Sequence, residues 1–391
     1  MTIKEISADH PESKSAPLTY AIRQIRIRNY HGITDTHVSG LPADAQWIFL
    51  TGENAFGKTA VLRALLIGLY GDRDGKTILT DETCEIGVEF KNEAQSQFNN
   101  LGHPNHMPFT KLAAYGPSRL LIQSQLGKNE EEGKSRTAYS LFNDDGILLN
   151  IESELSRWYY KEKFRNKYEN VRRTLLRLLP DISDMQVDED TDEIFYTEKE
   201  DEENGETYEP LPFGKLASGH KSLIAMTGDM MLRLFERHPD EEKPENLAGI
   251  VIIDELDLHS HPGWQRELPV RLSEAFPKVQ FVASTHSAIP FLGAPENSVF
   301  LKVTKNRKEG IQLMRLEIDI RNLLPDTILT SPIFDFDELI PRTNNNISEI
   351  RTEDVYNEIA FNDKVRERLR AIARRGTDRL DGLFDTGDKS S

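Results

Sequence analysis

A chain of 391 residues can hold one large or two ordinary domains with a real core, and its net charge of −17 argues against a wholly basic surface for gripping nucleic acid. A single cysteine, Cys84, excludes an internal disulfide framework and a cysteine-based metal site. No apolar run approaches a membrane span, and Met1–Pro17 is polar with no hydrophobic signal region, so a cytoplasmic protein without a membrane partner is expected.

Residues 1–18 read as a loose arm. Ala21–Tyr30 alternates Ile with Arg or Gln, the pattern of a half-buried strand, and a turn at His31-Gly32 leads to a second strand near Asp35–Val38. Trp47–Leu50 reads as a short buried strand. It runs into Gly52-Glu53-Asn54-Ala55-Phe56-Gly57-Lys58-Thr59, which is G-x-x-x-x-G-K-[ST], the phosphate-binding loop. In such a loop bare backbone N–H groups at a helix N-terminus converge on an anion, and glycine permits the close approach. Lys58 can reach the β- and γ-phosphates, and the Thr59 hydroxyl can ligate Mg²⁺. Ala60–Leu69 reads as the apolar helix that follows, and Glu85–Phe90 as a further strand.

Ala113–Tyr115 ends a strand at Gly116-Pro117. Arg119, just beyond, is placed to reach bound nucleotide or an adjacent subunit, the alternative being a loop arginine in solvent. Residues 139–180 read helical, with Leu155, Trp158, Tyr159, Phe164, Val171 and Leu175 at helical spacing, a packing stripe that stops at Pro180. Residues 184–210 read as strands around an acidic, solvated hairpin tip. Ser218-Gly219 opens the apolar helix Leu223–Leu234 and is a second candidate anion site.

Gly249–Ile253 is a β-branched run that reads as a strand buried on both faces. It ends in Asp254-Glu255, and ligands of open α/β sheets bind just beyond strand C-termini. Asp254 is therefore placed to hold Mg²⁺ with Thr59, and Glu255 to orient or deprotonate an attacking water. Val279–Ala283 is another buried strand, ending in Ser284-Thr285-His286, where His286 can hydrogen-bond a γ-phosphate or its water. Ser298–Val303 and Gln312–Leu316 form a closing hairpin. Glu353–Ala373 reads as a helix with Arg370, Arg374 and Arg375 crowded near its end, a solvated or dimer-packing face with nucleic-acid contact as the alternative. Arg233–His238 also fits R-x-x-x-x-H, which helix packing explains, and Asp335–Glu338 imitates the acidic pair of a TOPRIM domain without room for that fold.

The order of these motifs resembles the ATP-binding-cassette ATPase core in its RecF/SMC-like branch, among single-chain AAA ATPases related to OLD, Septu and PARIS. The resemblance spans about Ile22 to Val303 and rests on Ile27–Ile33, Gly52–Thr59, Asp254–Pro262 and Ser284–Ser287. It implies an α/β fold: a P-loop NTPase of the ABC/RecF–SMC type with a mixed central sheet, an N-terminal antiparallel β subdomain, a helical insertion and a C-terminal helical tail. The boundaries expected are an arm at 1–18, an ATPase domain at 19–320 with an insertion at 120–215, and an extension at 321–391. It further implies ATP and Mg²⁺ as cofactors. Asn54, Ala55, Phe56, Gly57, Lys58, Thr59, Ala60 and Arg119 would hold the nucleotide, Thr59 and Asp254 the metal, and Lys58, Glu255 and His286 would serve catalysis. Ser218 and Gly219 would reach the nucleotide from a second copy, in a homo-oligomer that is at least a dimer. Partners would be DNA, or an effector nuclease or toxin, in bacterial defence or DNA repair. The signature turn departs from the family, with Ala217 in place of Ser and His220 in place of Gln or Glu. That departure motivates a rival reading, an ATP-gated scaffold or sensor with negligible turnover. A transporter cassette is a weaker rival, because no membrane-coupling segment is visible.

Overall fold

The computed structural model describes residues 16–53, 55–71, 83–100, 107–123, 133–199, 208–258 and 261–316. Expectations for Asn54, for Asp335–Glu338 and for the basic helix and extension beyond residue 320 lie outside these residues.

Among the described residues one ten-stranded sheet carries both halves of the fold, in the order β5-β4-β1-β2-β13-β12-β3-β11-β10-β6. Its antiparallel half contains β1 (Tyr20–Tyr30), β2 (Ile33–Val38), β4 (Glu85–Asn92) and β5 (Gln95–Asn100). Its parallel half contains β3 (Trp47–Thr51), β6 (Leu112–Tyr115), β10 (Ala248–Ile253), β11 (Lys278–Ser284) and β12 (Val299–Asn306). β13 (Gly310–Leu316) turns back from β12 and meets β2, joining the two halves.

The parallel strands are apolar on both faces because helices cover both. Along β10, Val251 and Ile253 enter one core while Ile250 and Ile252 enter the other. Helix α1 (Lys58–Tyr70) fills the second core with Val61, Leu62, Leu65 and Leu66. The first core is built largely from the chain between β6 and β10. That stretch contains α2 (Tyr139–Phe142), α3 (Ile151–Tyr160), α4 (Arg165–Leu178), a three-stranded sheet of β7 (Ile182–Val187), β8 (Ile194–Glu198) and β9 (Leu211–Pro212), and α5 (Ser218–Arg237). After β10 come α6 (Pro262–Ala275) and α7 (Ile289–Leu292).

The helical reading of residues 139–180 is interrupted. Asn150 caps α3 by accepting from the Ser153 N–H at 3.1 Å, and a short 3₁₀ turn at Glu162–Phe164 separates α3 from α4. The aromatic stripe is packing: Trp158 meets Phe235 edge-on at 6.2 Å, and the Arg165 guanidinium lies 4.4 Å from the Tyr159 ring centre. The R-x-x-x-x-H pair is consumed in the same way, with Arg233 held by Asp229 and the His238 ring against the Ala248 carbonyl at 3.1 Å.

Asp229 on α5 is the polar hub beneath β6. It is fully buried and accepts from the Tyr115 hydroxyl at 2.7 Å, the Leu149 N–H at 2.8 Å and Arg233 at 2.6 and 2.9 Å. Arg233 also donates to the Thr137 hydroxyl at 3.0 Å and the Ser135 carbonyl at 2.6 Å.

A second, half-buried acid lies between α3 and β8. Glu152 accepts from the Tyr196 hydroxyl at 2.9 Å, and burial raises its carboxyl to about 7. The folded chain therefore keeps a proton that the unfolded chain releases near its ordinary value of 4.5, so this group's contribution to stability is lost as pH rises towards 7. Glu152→Gln keeps the hydrogen bond without the ionisation. Thermal melts should show the variant more stable than the parent near pH 8, with the difference shrinking as pH falls and vanishing below 4.5. Equal melting temperatures at the higher pH would show that Glu152 ionises there without penalty.

Candidate active site

The phosphate loop joins the end of β3 to α1. Gly57 caps α1 in the left-handed region with φ 99°, and Gly52 has φ 141°. Both glycines are also demanded by close neighbours on the β12–β13 hairpin. A Cβ on Gly52 would lie 2.3 Å from the Val303 carbonyl oxygen, and one on Gly57 would lie 2.5 Å from the Ile311 side chain. Ala55 is exposed at φ 63°, Phe56 packs against the α1 core, and Ala60 is half-buried on the first turn.

Lys58 is buried across the loop. Its Nζ donates to the Gly52 carbonyl at 2.7 Å and the Glu53 carbonyl at 3.1 Å, and lies 3.1 Å from His286 Nδ1. Burial lowers the Lys58 ammonium to about 8, against the pull of Asp254, Asp257 and Glu255. His286 is also pushed below its ordinary value, first by burial and then by Lys58. A neutral imidazole that accepts from Lys58 at Nδ1 carries its proton on Nε2, so His286 offers a donor on its other side.

The parallel register brings the strand ends together. Asp254 Oδ2 accepts from the Thr59 hydroxyl at 2.7 Å, and Asp254 Oδ1 accepts a short bond from the Ser284 hydroxyl at the end of β11. The Ser284 Oγ in turn accepts from the Glu255 N–H at 2.8 Å. The Glu255 carboxylate, half-buried, makes no hydrogen bond among the described residues. Thr59 and Asp254 present hard oxygen donors only, which suits Mg²⁺ better than a soft metal. The residues present therefore fit the metal that the loop motif implies.

Arg119 is not where its sequence position suggested. The residue is 2% exposed and its guanidinium turns inward, donating to the Asp254 carbonyl at 2.8 Å and the Glu255 carbonyl at 2.7 Å. Burial lowers it to about 10, while Asp254, Glu255 and Asp257 oppose that shift. Ser218 is exposed and Gly219 half-buried at the start of α5, and neither shares a hydrogen bond with the loop among the described residues. Ala217, the N-cap, supplies no side-chain cap, so the first-turn N–H groups lack that partner. Its neighbour His220 is buried against Trp264, with ring centres 4.7 Å apart.

The family described as "AAA domain, putative AbiEii toxin, Type IV TA system" matches residues 116–292. Septu protein PtuA of Bacillus mycoides (strain KBAB4) is 25% identical over 344 residues, covering 83% of this chain and 46% of that protein. A retron Vc95 probable ATPase of Vibrio cholerae serotype O1 biovar El Tor is 47% identical over 74 residues, covering 19% of this chain and 14% of that one. The chain is thus similar, over parts of its length, to proteins named as defence-system ATPases. The chain spans less than half the length of these curated relatives. Among solved structures, an SMC head bound to the C-winged helix domain of ScpA aligns with TM-score 0.47 and 12% identity, over 76% of this chain and 98% of that one. No described helix is long and apolar enough to cross a membrane.

Two residues near the phosphate loop had no role assigned from sequence. Asp257 accepts from the Thr285 hydroxyl at 2.7 Å and the His286 N–H at 3.2 Å, so it sets the turn that aims His286. Ser284 links Asp254 to Glu255. The signal for Asp257 was its place three residues after Asp254, on a loop that must return past the β11 end. His261 serves the same loop, its Nδ1 accepting from the Gly263 N–H at 3.3 Å to cap α6.

Proposed function

We propose that this chain binds ATP with Mg²⁺ and hydrolyses it in an ATP-closed dimer. In this reading Ser218-Gly219 of one copy completes the phosphate site of the other. We further propose that opening and closing of the dimer governs a separate effector or acts on DNA in a defence system, and that residues 19–320 are the ATPase domain with 120–215 inserted. The observation that carries the reading is the linked set Thr59–Asp254–Ser284–Glu255 at the mouth of Gly52–Thr59.

The chemistry is attack of water on the γ-phosphorus. Glu255 orients the water and takes its proton as the bond forms. Lys58 and the loop N–H groups stabilise charge on the phosphate oxygens, with His286 Nε2–H as a further donor. Thr59 and Asp254 would hold Mg²⁺, which would supply neutralisation of phosphate charge. The free N–H groups at the start of α5 suit an anion arriving from another copy.

Phosphate release from ATP should depend on Mg²⁺ and fall on the order of 10²-fold in Asp254→Asn. Release that persists in EDTA or in the variant would remove this assignment. The uncapped Ala217 turn favours a second reading, a scaffold with negligible turnover. A basal rate near zero that neither DNA nor a protein partner raises would decide for it.

A further inference from the structure

Glu255 stands in a left-handed conformation with φ 52°, a region that side-chain-bearing residues rarely adopt. Something must hold it there. On one side the β11 end does so: the Glu255 N–H donates to Ser284 Oγ at 2.8 Å and the Leu256 N–H to the Ser284 carbonyl at 2.9 Å. On the other side the carbonyls of Asp254 and Glu255 converge on one guanidinium, that of Arg119, at 2.8 and 2.7 Å. The Arg119 Nε is buried with no hydrogen-bond partner. A fork of two donors matches two neighbouring carbonyls in a way that a single ammonium does not.

We propose that Arg119 is the positioning residue of hydrolysis, clamping the Glu255 backbone in the turn from which its carboxylate addresses the attacking water. The proposal rests on the hydrolytic reading above. In this role Arg119 acts through the Asp254 and Glu255 carbonyls that it holds. Its own segment is firmly seated. A Cβ on Gly116 would lie 2.0 Å from the Ser140 carbonyl oxygen, and Asn150, the α3 cap, donates to the Gln123 carbonyl at 2.9 Å. The clamp is therefore mounted on the chain that leads from β6 to α3, so movement there would reach Glu255 directly.

The test is a double-mutant cycle on the full chain with Mg²⁺ and ATP. Arg119→Met should lower kcat on the order of 10-fold while the KM for ATP changes less than about 2-fold, and Arg119→Lys should recover part of the loss. In a Glu255→Gln background, where the carboxylate is already gone, Arg119→Met should slow turnover no further. Independent, multiplying losses, or a rise in KM that matches the fall in kcat, would overturn the role of Arg119 alone. If Arg119→Met does not fold, Arg119→Lys runs through the same cycle with the same criteria. A parent chain whose turnover does not depend on Glu255 would instead overturn the hydrolytic reading, and the clamp with it.

Discussion

Glu255→Gln is expected to slow ATP turnover by at least about 10²-fold while leaving ATP binding intact. Gln matches Glu in volume and keeps the backbone bonds to Ser284 and Arg119, so the turn survives. What disappears is a carboxylate able to accept a proton from water. A factor of 10² corresponds to about 2.7 kcal/mol of transition-state stabilisation. Because the loop, Lys58 and Thr59 are untouched, nucleotide should still close the dimer and then stay. Sedimentation with Mg²⁺ and ATP should show the variant as a lasting dimer where the parent relaxes. A variant that hydrolyses ATP at the parent's rate would remove Glu255 from the chemistry.

The largest effect on stability is expected at Asp229. Its carboxylate is fully buried and gathers three donors from different parts of the chain. Asp229→Ala would leave the Arg233 guanidinium buried beside the Tyr115 hydroxyl and the Leu149 N–H, all without their acceptor. Breaking a buried charge pair from one side costs about 3–5 kcal/mol. Denaturant unfolding should register that loss as a large drop in the midpoint. A loss under about 1 kcal/mol would show that the bonds Arg233 already makes to Thr137 and Ser135 suffice to hold it.

The legible parts of this fold were those written in short local patterns. Buried strands announce themselves by continuous β-branched runs, as Ile250–Ile253 does, and the phosphate loop by glycine and lysine at fixed spacing. The closing hairpin was legible for the same reason. What was not legible depends on distant partners. Nothing near Arg119 says that its guanidinium turns inward to two carbonyls on β10's far end. Ser284 and Asp257 look like ordinary loop polars until the parallel register sets them beside Asp254 and His286. The helical run at 139–180 hid its break because Asn150 and Lys161 differ little in hydrophobicity from the polar face around them.

The two glycines of the phosphate loop lean on Val303 and Ile311. Those residues arrive last among the described strands, long after β3, the loop and α1 have left the ribosome. The amino-terminal part of the chain thus carries the complete loop sequence without the wall that shapes it. A nascent chain gains its grip on nucleotide only when the hairpin folds back between β2 and β3. Nucleotide, as a ligand of the finished state, then pulls the equilibrium towards chains in which β13 has reached β2.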